Sequence, residues 1–320
     1  MTASNSSTAI HSDGGVPPRV IYVGPYVDET IVHERGLRGH NAAGSNRMAR
    51  IGQALAAAGL RPIILSPATS LRAKAPQRFM LPRRMRKTGP VAVVYSACLN
   101  VIVLNMISVV LTQLLTLYAL VHREPVAGVI FYNSNAANVC MALYLRLFTR
   151  VRILHNVEDI YEPKFNDWTA GSKTHPLQNL YFSLGQRLMG LLVDGYIVPT
   201  ERFLARLSSR PIASVVTGCI EIEGTTPKKP AAPLRVLYAG KIESEHGICQ
   251  FMDALQILDH RHEAPAFEVD ISGAGDQSDF VLDAARSLKN INVRFHGFIS
   301  KDQYTRLLCD ADICLALQDP

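Results

Sequence analysis

The sequence predicts an α/β fold made of two successive halves, each with a mainly parallel sheet. Three observations support this prediction. Short apolar runs alternate with helical patterns along the chain, an order that is typical of βαβ units. A stretch rich in Pro, Thr and Lys, residues 221–233, interrupts the alternation and indicates a linker. The 320 residues, 48% of them apolar, suffice for two domains with their own cores.

The first half is predicted to span residues 19–220, after a polar, disordered tail at 1–18. Short apolar runs, several bounded by proline, predict buried strands at 19–25, 61–67, 91–95, 128–132, 151–155, 195–199 and 212–217. Helical spacing predicts helices at 45–58, 98–121, 136–148 and 177–192, with a short one from Thr200. The stretches before the first helix and at 76–90 are predicted to be loops.

The second half is predicted to span residues 234–320. Its strands are predicted at 235–239, 267–272, 293–295 and 313–316, and its helices at 247–260, 279–288 and 301–310. The sequence ends directly after a strand, where a doubly wound half usually continues. We therefore expect this second domain to be incomplete.

The polar start of the sequence lacks the apolar core of a secretory signal. The six cysteines show neither metal-ligand spacing nor a C-x-x-C motif. Both features predict a cytoplasmic protein with reduced thiols and no cysteine metal site.

The formal net charge of the whole chain is +6, and in its first half basic and acidic residues are unevenly distributed. No Asp or Glu occurs between Glu34 and Glu124, and basic residues crowd into one part of this stretch: Arg72, Lys74, Arg78, Arg83, Arg84, Arg86 and Lys87. Such a field attracts anionic lipid head groups, a lipid diphosphate or nucleic acid. We expect an anionic membrane surface; a basic solvated loop is the alternative. Nucleic acid is disfavoured because only Phe79 interleaves the charges.

Residues 91–121 carry no charge and are long enough to cross a bilayer. However, strands on both sides of the run belong to one alternating pattern, so a span would separate strands of one sheet. We therefore predict a crossover helix, buried or partly facing the bilayer surface, and peripheral attachment at the inner face of the membrane.

Ligands of open α/β sheets bind beyond the carboxyl ends of the strands, which singles out two loops of the first half. Gly44 lies where a chain of small residues enters a helix, a natural phosphate site, with Arg47 on the first turns. His155, Glu158 and Asp159 follow a strand and are candidate catalytic residues. The alternatives are ordinary helix entry for the glycine, and helix capping or ion pairing for the carboxylates.

Three strand ends of the second half carry glycine. Gly240 and Lys241 follow the first strand, and His246 precedes the next helix, an arrangement suited to a diphosphate. The other two strand ends contribute Gly273, Gly275 and Gly297. One such glycine is weak evidence, whereas three in order form a more specific pattern.

These residues resemble glycosyltransferase family 4, which has the GT-B fold of two Rossmann-like domains. The resemblance rests on RVLYAGKIESEHGICQFMDAL, EVDISGAGD, INVRFHGFIS and LLCDADICLAL, and is looser before residue 234. It implies retaining sugar transfer without a metal, from a nucleotide sugar bound between the domains to a glycan acceptor. We expect a lipid-linked acceptor and a role in exopolysaccharide, capsule or cell-envelope synthesis.

The resemblance also implies residue roles. Lys241 would contact the donor diphosphate, Gly44 would face the phosphates, and His155 would lie near the transferring sugar. The nucleotide pocket would be lined by Gly240, Gly273, Gly275 and Gly297. His246 stands where the family has a second lysine, so donor binding is expected to be weaker or pH-dependent. From their positive charge, rather than from the resemblance, acceptor or membrane contacts are assigned to Arg47, Arg83, Arg84, Arg86 and Lys87.

The family's acidic motif, which contacts the donor sugar, would lie beyond Pro320. We therefore expect this form to have little or no transferase activity, and a noncatalytic nucleotide-binding protein of the same fold is the main alternative. A sugar-nucleotide epimerase is a second alternative. A nicotinamide dehydrogenase is disfavoured because no G-x-G-x-x-G follows the first strand.

Overall fold

The computed structural model describes residues 16–37, 42–69, 79–160, 176–207, 212–217, 233–261 and 267–315. The chain divides into two compact units, Met1–Glu221 and Ile222–Pro320. Each unit has its own mainly parallel sheet, so the predicted α/β fold class is confirmed. The predicted tail and linker lie almost wholly outside the described residues.

The strands described in the first unit are β1 (Arg19–Val23), β2 (Arg61–Ser66), β3 (Met80–Leu81), β4 (Arg84–Thr88), β5 (Val91–Tyr95), β6 (Cys98–Leu99), β7 (Val126–Tyr132), β8 (Arg152–Asn156), β9 (Gly195–Val198) and β10 (Ile212–Val215). Eight of them form one sheet in the order β10-β9-β8-β7-β1-β2-β5-β4. Every neighbouring pair in this sheet is parallel except β4 with β5. β3 and β6 form a separate antiparallel ribbon.

The helices described in the first unit are α1 (Glu29–Arg35), α2 (Ala42–Ala57), α3 (Ile102–Arg123), α4 (Ala136–Phe148), α5 (Pro176–Leu192) and α6 (Glu201–Leu204). Successive strand residues point to opposite faces, so the sheet has a core on each side. Ile21 and Phe131 pack beneath α3, α4 and α5. Tyr22 and Ile130 pack on the other face with α1 and α2.

Two elements contradict the predicted loops. α1 lies in the stretch after β1, where the Asp28 side chain accepts a hydrogen bond from the Ile31 amide and Gly36 ends the helix at φ 59°. β4 lies in the segment 76–90. Its basic sequence resembles a loop, but β4 is an edge strand held by antiparallel pairing to the buried β5.

α3 is long and apolar enough to cross a membrane by length and composition, over Leu104–Arg123 with a mean hydropathy of 1.8. Both of its flanking strands, β5 and β7, belong to the same sheet. It begins at Ile102, after the short strand β6, rather than at Cys98. Its inner polar side chains are bonded to nearby backbone: Asn105 donates to the Leu99 carbonyl and Thr112 to the Ala97 carbonyl. α3 is therefore a crossover helix of this unit.

The second unit contains strands β11 (Leu234–Ala239), β12 (Phe267–Ser272), β13 (Asn292–Gly297) and β14 (Ile313–Leu315), all parallel, in the order β13-β12-β11-β14. Its helices are α7 (Ile248–His260), α8 (Ser278–Ser287) and α9 (Lys301–Asp310). The core lies between the sheet and the inner faces of α7 and α8, with Met252, Val269 and Val281 fully enclosed.

Candidate functional site

Polar side chains of the first unit gather where β1, β7 and β8 end, the edge at which parallel sheets bind ligands. The Asn156 side-chain amide, at the end of β8, donates a hydrogen bond to the Tyr22 hydroxyl on β1. Both residues are fully buried, and burial raises the pKa of Tyr22, so its phenol stays protonated. The ends of β8 and β1, which lie on either side of β7, are thus tied together below the surface of the site.

Arg47 and Glu158 form an ion pair above this layer, with side chains 12% and 16% exposed. Arg47 also donates to the Val216 carbonyl at 2.6 Å. Burial raises the pKa of Glu158, and the Arg47 guanidinium opposes that shift. Arg47 is therefore held by protein groups at the strand ends, so any ligand phosphate would compete with Glu158 for it.

Gly44 lies in the first turn of α2, where it is buried next to Ser45. The Ser45 hydroxyl accepts a hydrogen bond from the Val27 amide at 3.1 Å, which fixes the loop after β1 against the helix. The residues immediately before α2, 38–41, lie outside the described part of the chain.

Asn133 organises the carboxylate pair. It has φ +50°, in the left-handed region that asparagine tolerates better than most residues. Its side-chain oxygen accepts from the amides of Glu158 and Asp159, and its side-chain nitrogen donates to the Asp159 carboxylate at 2.8 Å. Glu158 and Asp159 are thus brought together with Arg47 at one strand edge.

His155 is placed differently from its two candidate partners. It is 1% exposed and points to the face of the sheet that carries Tyr196, whose ring centroid is 6.1 Å away. Within the described part of the chain, neither of its ring nitrogens has a hydrogen-bond partner. Burial lowers the pKa of His155 to about 4. The imidazole is therefore neutral at physiological pH.

The three glycine-bearing loops of the second unit are joined by backbone hydrogen bonds. Gly240 donates to the Ser272 carbonyl at 3.0 Å, and Gly273 donates to the Gly297 carbonyl at 2.9 Å. A Cβ atom on Gly273 would lie 1.8 Å from the Gly240 oxygen, and one on Gly275 would lie 2.0 Å from the Ile242 oxygen. These two glycines are required because backbone packs directly on backbone.

Lys241 and His246, the predicted diphosphate ligands, lie on either side of one carboxylate. Glu243 Oε2 is 3.4 Å from Lys241 Nζ and 3.8 Å from His246 Nδ1. The Tyr238 hydroxyl supports this loop from below by donating to the Lys241 carbonyl at 2.7 Å. The loop leads into α7, whose N-terminus is not capped by any side chain that the structure describes. Two basic groups therefore converge beside backbone amides that can bind an anion.

The basic residues of β4 divide between the two faces of the sheet. Arg86 lies 3.8 Å from Asp28 and 3.5 Å from Glu34, and Arg84 lies 3.9 Å from Glu34. These two arginines face α1, whereas Lys87 faces the opposite side because it is paired with Ala92. Arg83 precedes the strand and is exposed. The four residues thus do not form a single basic surface.

Sequence reasoning missed the residues that hold the site together: Tyr22, Asn133, Asn156 and Glu243. An asparagine after a strand is a signal for left-handed backbone, and Asn133 could have been found in this way. The pairing of Tyr22 with Asn156 depends on the sheet order, which the sequence does not display. Among the described residues, no group of His, Cys, Asp and Glu could hold a metal ion.

No family model matches the sequence, and no curated protein matches it. Solved structures do match. Sucrose-phosphate synthase from Thermosynechococcus elongatus is similar with a TM-score of 0.60 at 13% identity, over 93% of this chain and 75% of that chain. An α,α-trehalose-phosphate synthase (UDP-forming) from Burkholderia vietnamiensis gives 0.56 at 10% identity, over 94% and 77%.

The catalytic domain of starch synthase IV from Arabidopsis thaliana, bound to ADP and acarbose, also matches, with a TM-score of 0.56 at 9% identity, over 94% of this chain and 78% of that chain. All three are glycosyltransferases of the GT-B fold. At these identities the likeness concerns the fold. The chain therefore has the GT-B fold that these glycosyltransferases share.

Proposed function

We propose that this protein is a glycosyltransferase that moves a sugar from a nucleotide-sugar donor to a glycan acceptor with retention of configuration and without a metal. The observation that carries the proposal is the convergence of Lys241 and His246 beside the uncapped N-terminus of α7. The neighbours by fold support it, since one is a UDP-forming synthase and another is bound to ADP.

The donor diphosphate would bind at the loop between β11 and α7. Helix amides and two basic side chains supply the donors that a phosphate requires. The nucleotide would lie against the glycine-bearing ends of β12 and β13. Glycine is needed at 273 and 275 because backbone atoms pack where a side chain would begin. Glu243 lies 3.4 Å from Lys241 and has to release it when the phosphate arrives.

The acceptor would bind at the strand ends of the first unit. Glu158 and Asp159 supply carboxylates for acceptor hydroxyl groups, and Asn133 fixes their position. His155 would contribute as a neutral imidazole, since burial depresses its pKa to about 4. In a retaining front-face transfer the leaving diphosphate would take the acceptor proton, so stabilisation of that diphosphate would supply much of the rate.

We further propose a lipid-linked acceptor in exopolysaccharide, capsule or cell-envelope synthesis, at the cytoplasmic face of the membrane. The support is the stretch between Glu34 and Glu124, which carries basic but no acidic residues. A protein acting on a lipid-linked glycan has to work at an anionic surface, and such a stretch favours that location.

One observation favours a second candidate, a noncatalytic nucleotide-binding protein. The Glu243 carboxylate lies within 4 Å of the Lys241 ammonium and of the His246 ring in the proposed diphosphate site. A phosphate that binds there is repelled by the Glu243 carboxylate, which would suit a weak, regulatory nucleotide site.

Two measurements on the full chain test the proposal. Calorimetric titration with UDP and ADP should show binding that Lys241→Ala weakens about tenfold, as expected for a lost charge-assisted contact. Lys289→Ala is the matched control, since Lys289 precedes β13 at the opposite end of the same sheet. Incubation with radiolabelled UDP- or ADP-sugars and a lipid-linked glycan pool should yield a labelled glycolipid. Binding without transfer would favour the second candidate, and equal binding by both variants would refute the diphosphate site.

A further inference from the structure

Three neighbouring helices of the first unit expose apolar stripes on their outer faces. α4 packs between α3 and α5, and all three cover the same face of the sheet. The stripes follow helical spacing and comprise Leu104, Ile107, Leu111, Leu115 and Tyr118 on α3, Leu143 and Leu147 on α4, and Tyr181, Leu184, Leu188 and Leu191 on α5. We call this surface the apolar helix face.

The apolar helix face is continuous rather than a scatter of single residues. The ring of Tyr144 on α4 lies 6.2 Å from Tyr118 on α3 and 5.6 Å from Phe148. Leu115, Phe148 and Leu191, one on each helix, are 67%, 70% and 71% exposed. Single exposed apolar residues are ordinary on soluble proteins, but a contiguous apolar surface across three helices indicates a binding partner.

The charged side chains of these three helices have one sign. α3, α4 and α5 contain no Asp or Glu, whereas Arg123, Arg146 and Arg187 are exposed on them. The acidic residues that follow these helices are already neutralised. Glu124 pairs with Arg19 and Arg61, and Asp194 pairs with Arg146. Arg146 is thereby neutralised, whereas Arg123 and Arg187 have no acidic partner among the described residues. These helices therefore combine apolar side chains with net positive charge.

This combination identifies the chemistry of the partner. Basic side chains around an apolar surface match anionic lipid head groups over acyl chains. A second copy of this chain would present the same arginines to each other, which disfavours a symmetric dimer. The polar residues Asn105 and Thr112 hold α3 to backbone beneath it, so the helix docks as part of the folded unit.

We propose that the apolar helix face binds the surface of an anionic bilayer, with α3, α4 and α5 lying along it. Met85 and Lys87 of β4 lie on the same side of the sheet as these helices, because Met85 is paired with Val94 of the core beneath them. Arg84 and Arg86 are excluded because they face α1 and lie beside its acids. The binding surface is thus the helix face, and it is independent of the donor site.

Co-sedimentation of the full chain with vesicles tests this proposal. We expect binding to mixed phosphatidylglycerol and phosphatidylcholine vesicles, and weak binding to phosphatidylcholine alone. The triple variant Leu111→Gln, Leu115→Gln, Leu191→Gln should bind about tenfold less or worse, because the apolar side chains that enter the interface are gone. The double variant Arg123→Gln, Arg187→Gln should lose affinity for the anionic vesicles and most of its salt dependence.

Two control variants locate the surface. Ile257→Gln with Phe298→Gln removes exposed apolar side chains from the second unit and should leave binding unchanged. Arg84→Gln with Arg86→Gln should also leave it unchanged, whereas a loss of binding here would place the contact on β4 instead. Equal binding by the triple variant, or no binding of the wild type to anionic vesicles, would overturn the proposal. The proposal would also be overturned if the wild type self-associates in sedimentation velocity, the triple variant does not, and the wild type does not bind vesicles.

A second readout keeps the test valid if the triple variant folds poorly. Leu115→Trp retains an apolar side chain on the face, and Ile257→Trp places the same probe on the second unit. Brominated phosphatidylglycerol should quench the Leu115→Trp signal beyond that of the wild type and leave the Ile257→Trp signal unaffected. Equal quenching of the two probes would contradict the assigned face.

Discussion

The side-chain oxygen of Asn133 accepts a hydrogen bond from the Glu158 amide at 2.8 Å, across 25 residues of sequence. Asn133 ends β7 in a left-handed conformation, φ +50°, and the same side chain donates to Asp159. The end of one strand therefore sets the position of the carboxylates that follow the next. Asn133 thus positions the carboxylate pair of this polar edge, next to the Tyr22–Asn156 hydrogen bond and the Arg47–Glu158 ion pair.

We expect Asn133→Ala to lower the free energy of unfolding by about 2–3 kcal/mol, because alanine is strained at positive φ and the side-chain hydrogen bonds are lost. Asn133→Gly removes the same hydrogen bonds but accepts the backbone conformation, so it should destabilise less. Urea unfolding of both variants measures the difference. A glycine variant less stable than the alanine variant would contradict the role assigned to the backbone.

Gly273→Ala should destabilise the second unit by about 3 kcal/mol or more, because the new methyl group would overlap the Gly240 oxygen and backbone has to move. Gly297→Ala is the matched control. It also has a positive φ, +64°, but a Cβ there meets no atom within 4 Å. Its effect should stay near 1 kcal/mol, the strain of alanine at positive φ. Thermal unfolding that shows equal losses would rule out the backbone clash.

His155 should make the stability of the protein fall at acid pH. Its pKa is about 4 in the folded protein and 6.5 when exposed, so the unfolded state binds more protons between these values. The stabilisation is complete above pH 6.5 and is lost as the pH falls towards 4. The free energy of unfolding of the wild type should therefore fall by about 3 kcal/mol relative to that of His155→Leu between pH 6.5 and pH 4.

Unfolding in urea at several pH values measures this difference. A constant difference between wild type and His155→Leu would mean that the imidazole is protonated in the fold or equally neutral in both states.

The sequence predicted regular elements well because their side chains repeat with the period of the structure. α4 and α9 lie at 136–148 and 301–310, as expected from apolar spacing. β4 was missed because its stability comes from pairing with β5 rather than from an apolar pattern of its own. Strand order likewise depends on contacts between distant segments, and only the folded sheet brings Tyr22 next to Asn156.

The sequence pattern predicted where the glycines of the second unit lie but not why glycine is needed there. Gly273 and Gly275 lie at strand ends, as expected, but the structure shows that backbone oxygens already occupy the space of a side chain. Their role in nucleotide binding stays a prediction. Lys241 and His246 do converge, around a Glu243 that no family pattern had singled out.

Glu243→Gln should raise the affinity for UDP or ADP about fivefold, because a neutral amide no longer competes with phosphate for Lys241 and an exposed ion pair is weak. The variant keeps the size and shape of the side chain. Asp283→Asn on α8, which removes an equally charged but distant carboxylate, should have no such effect. Calorimetric titration checks both, and a weaker affinity of Glu243→Gln would mean that the carboxylate positions the lysine instead.

β4 has a consequence for the behaviour of the protein at high concentration. A parallel sheet that ended at β5 would present an apolar strand, Val91–Tyr95, with open backbone groups to other molecules. β4 covers that edge and replaces its apolar side chains with long charged ones, which disfavour the pairing of a further strand. The edge of the first unit is thereby protected against strand-to-strand aggregation, even where its helices present a wide apolar surface.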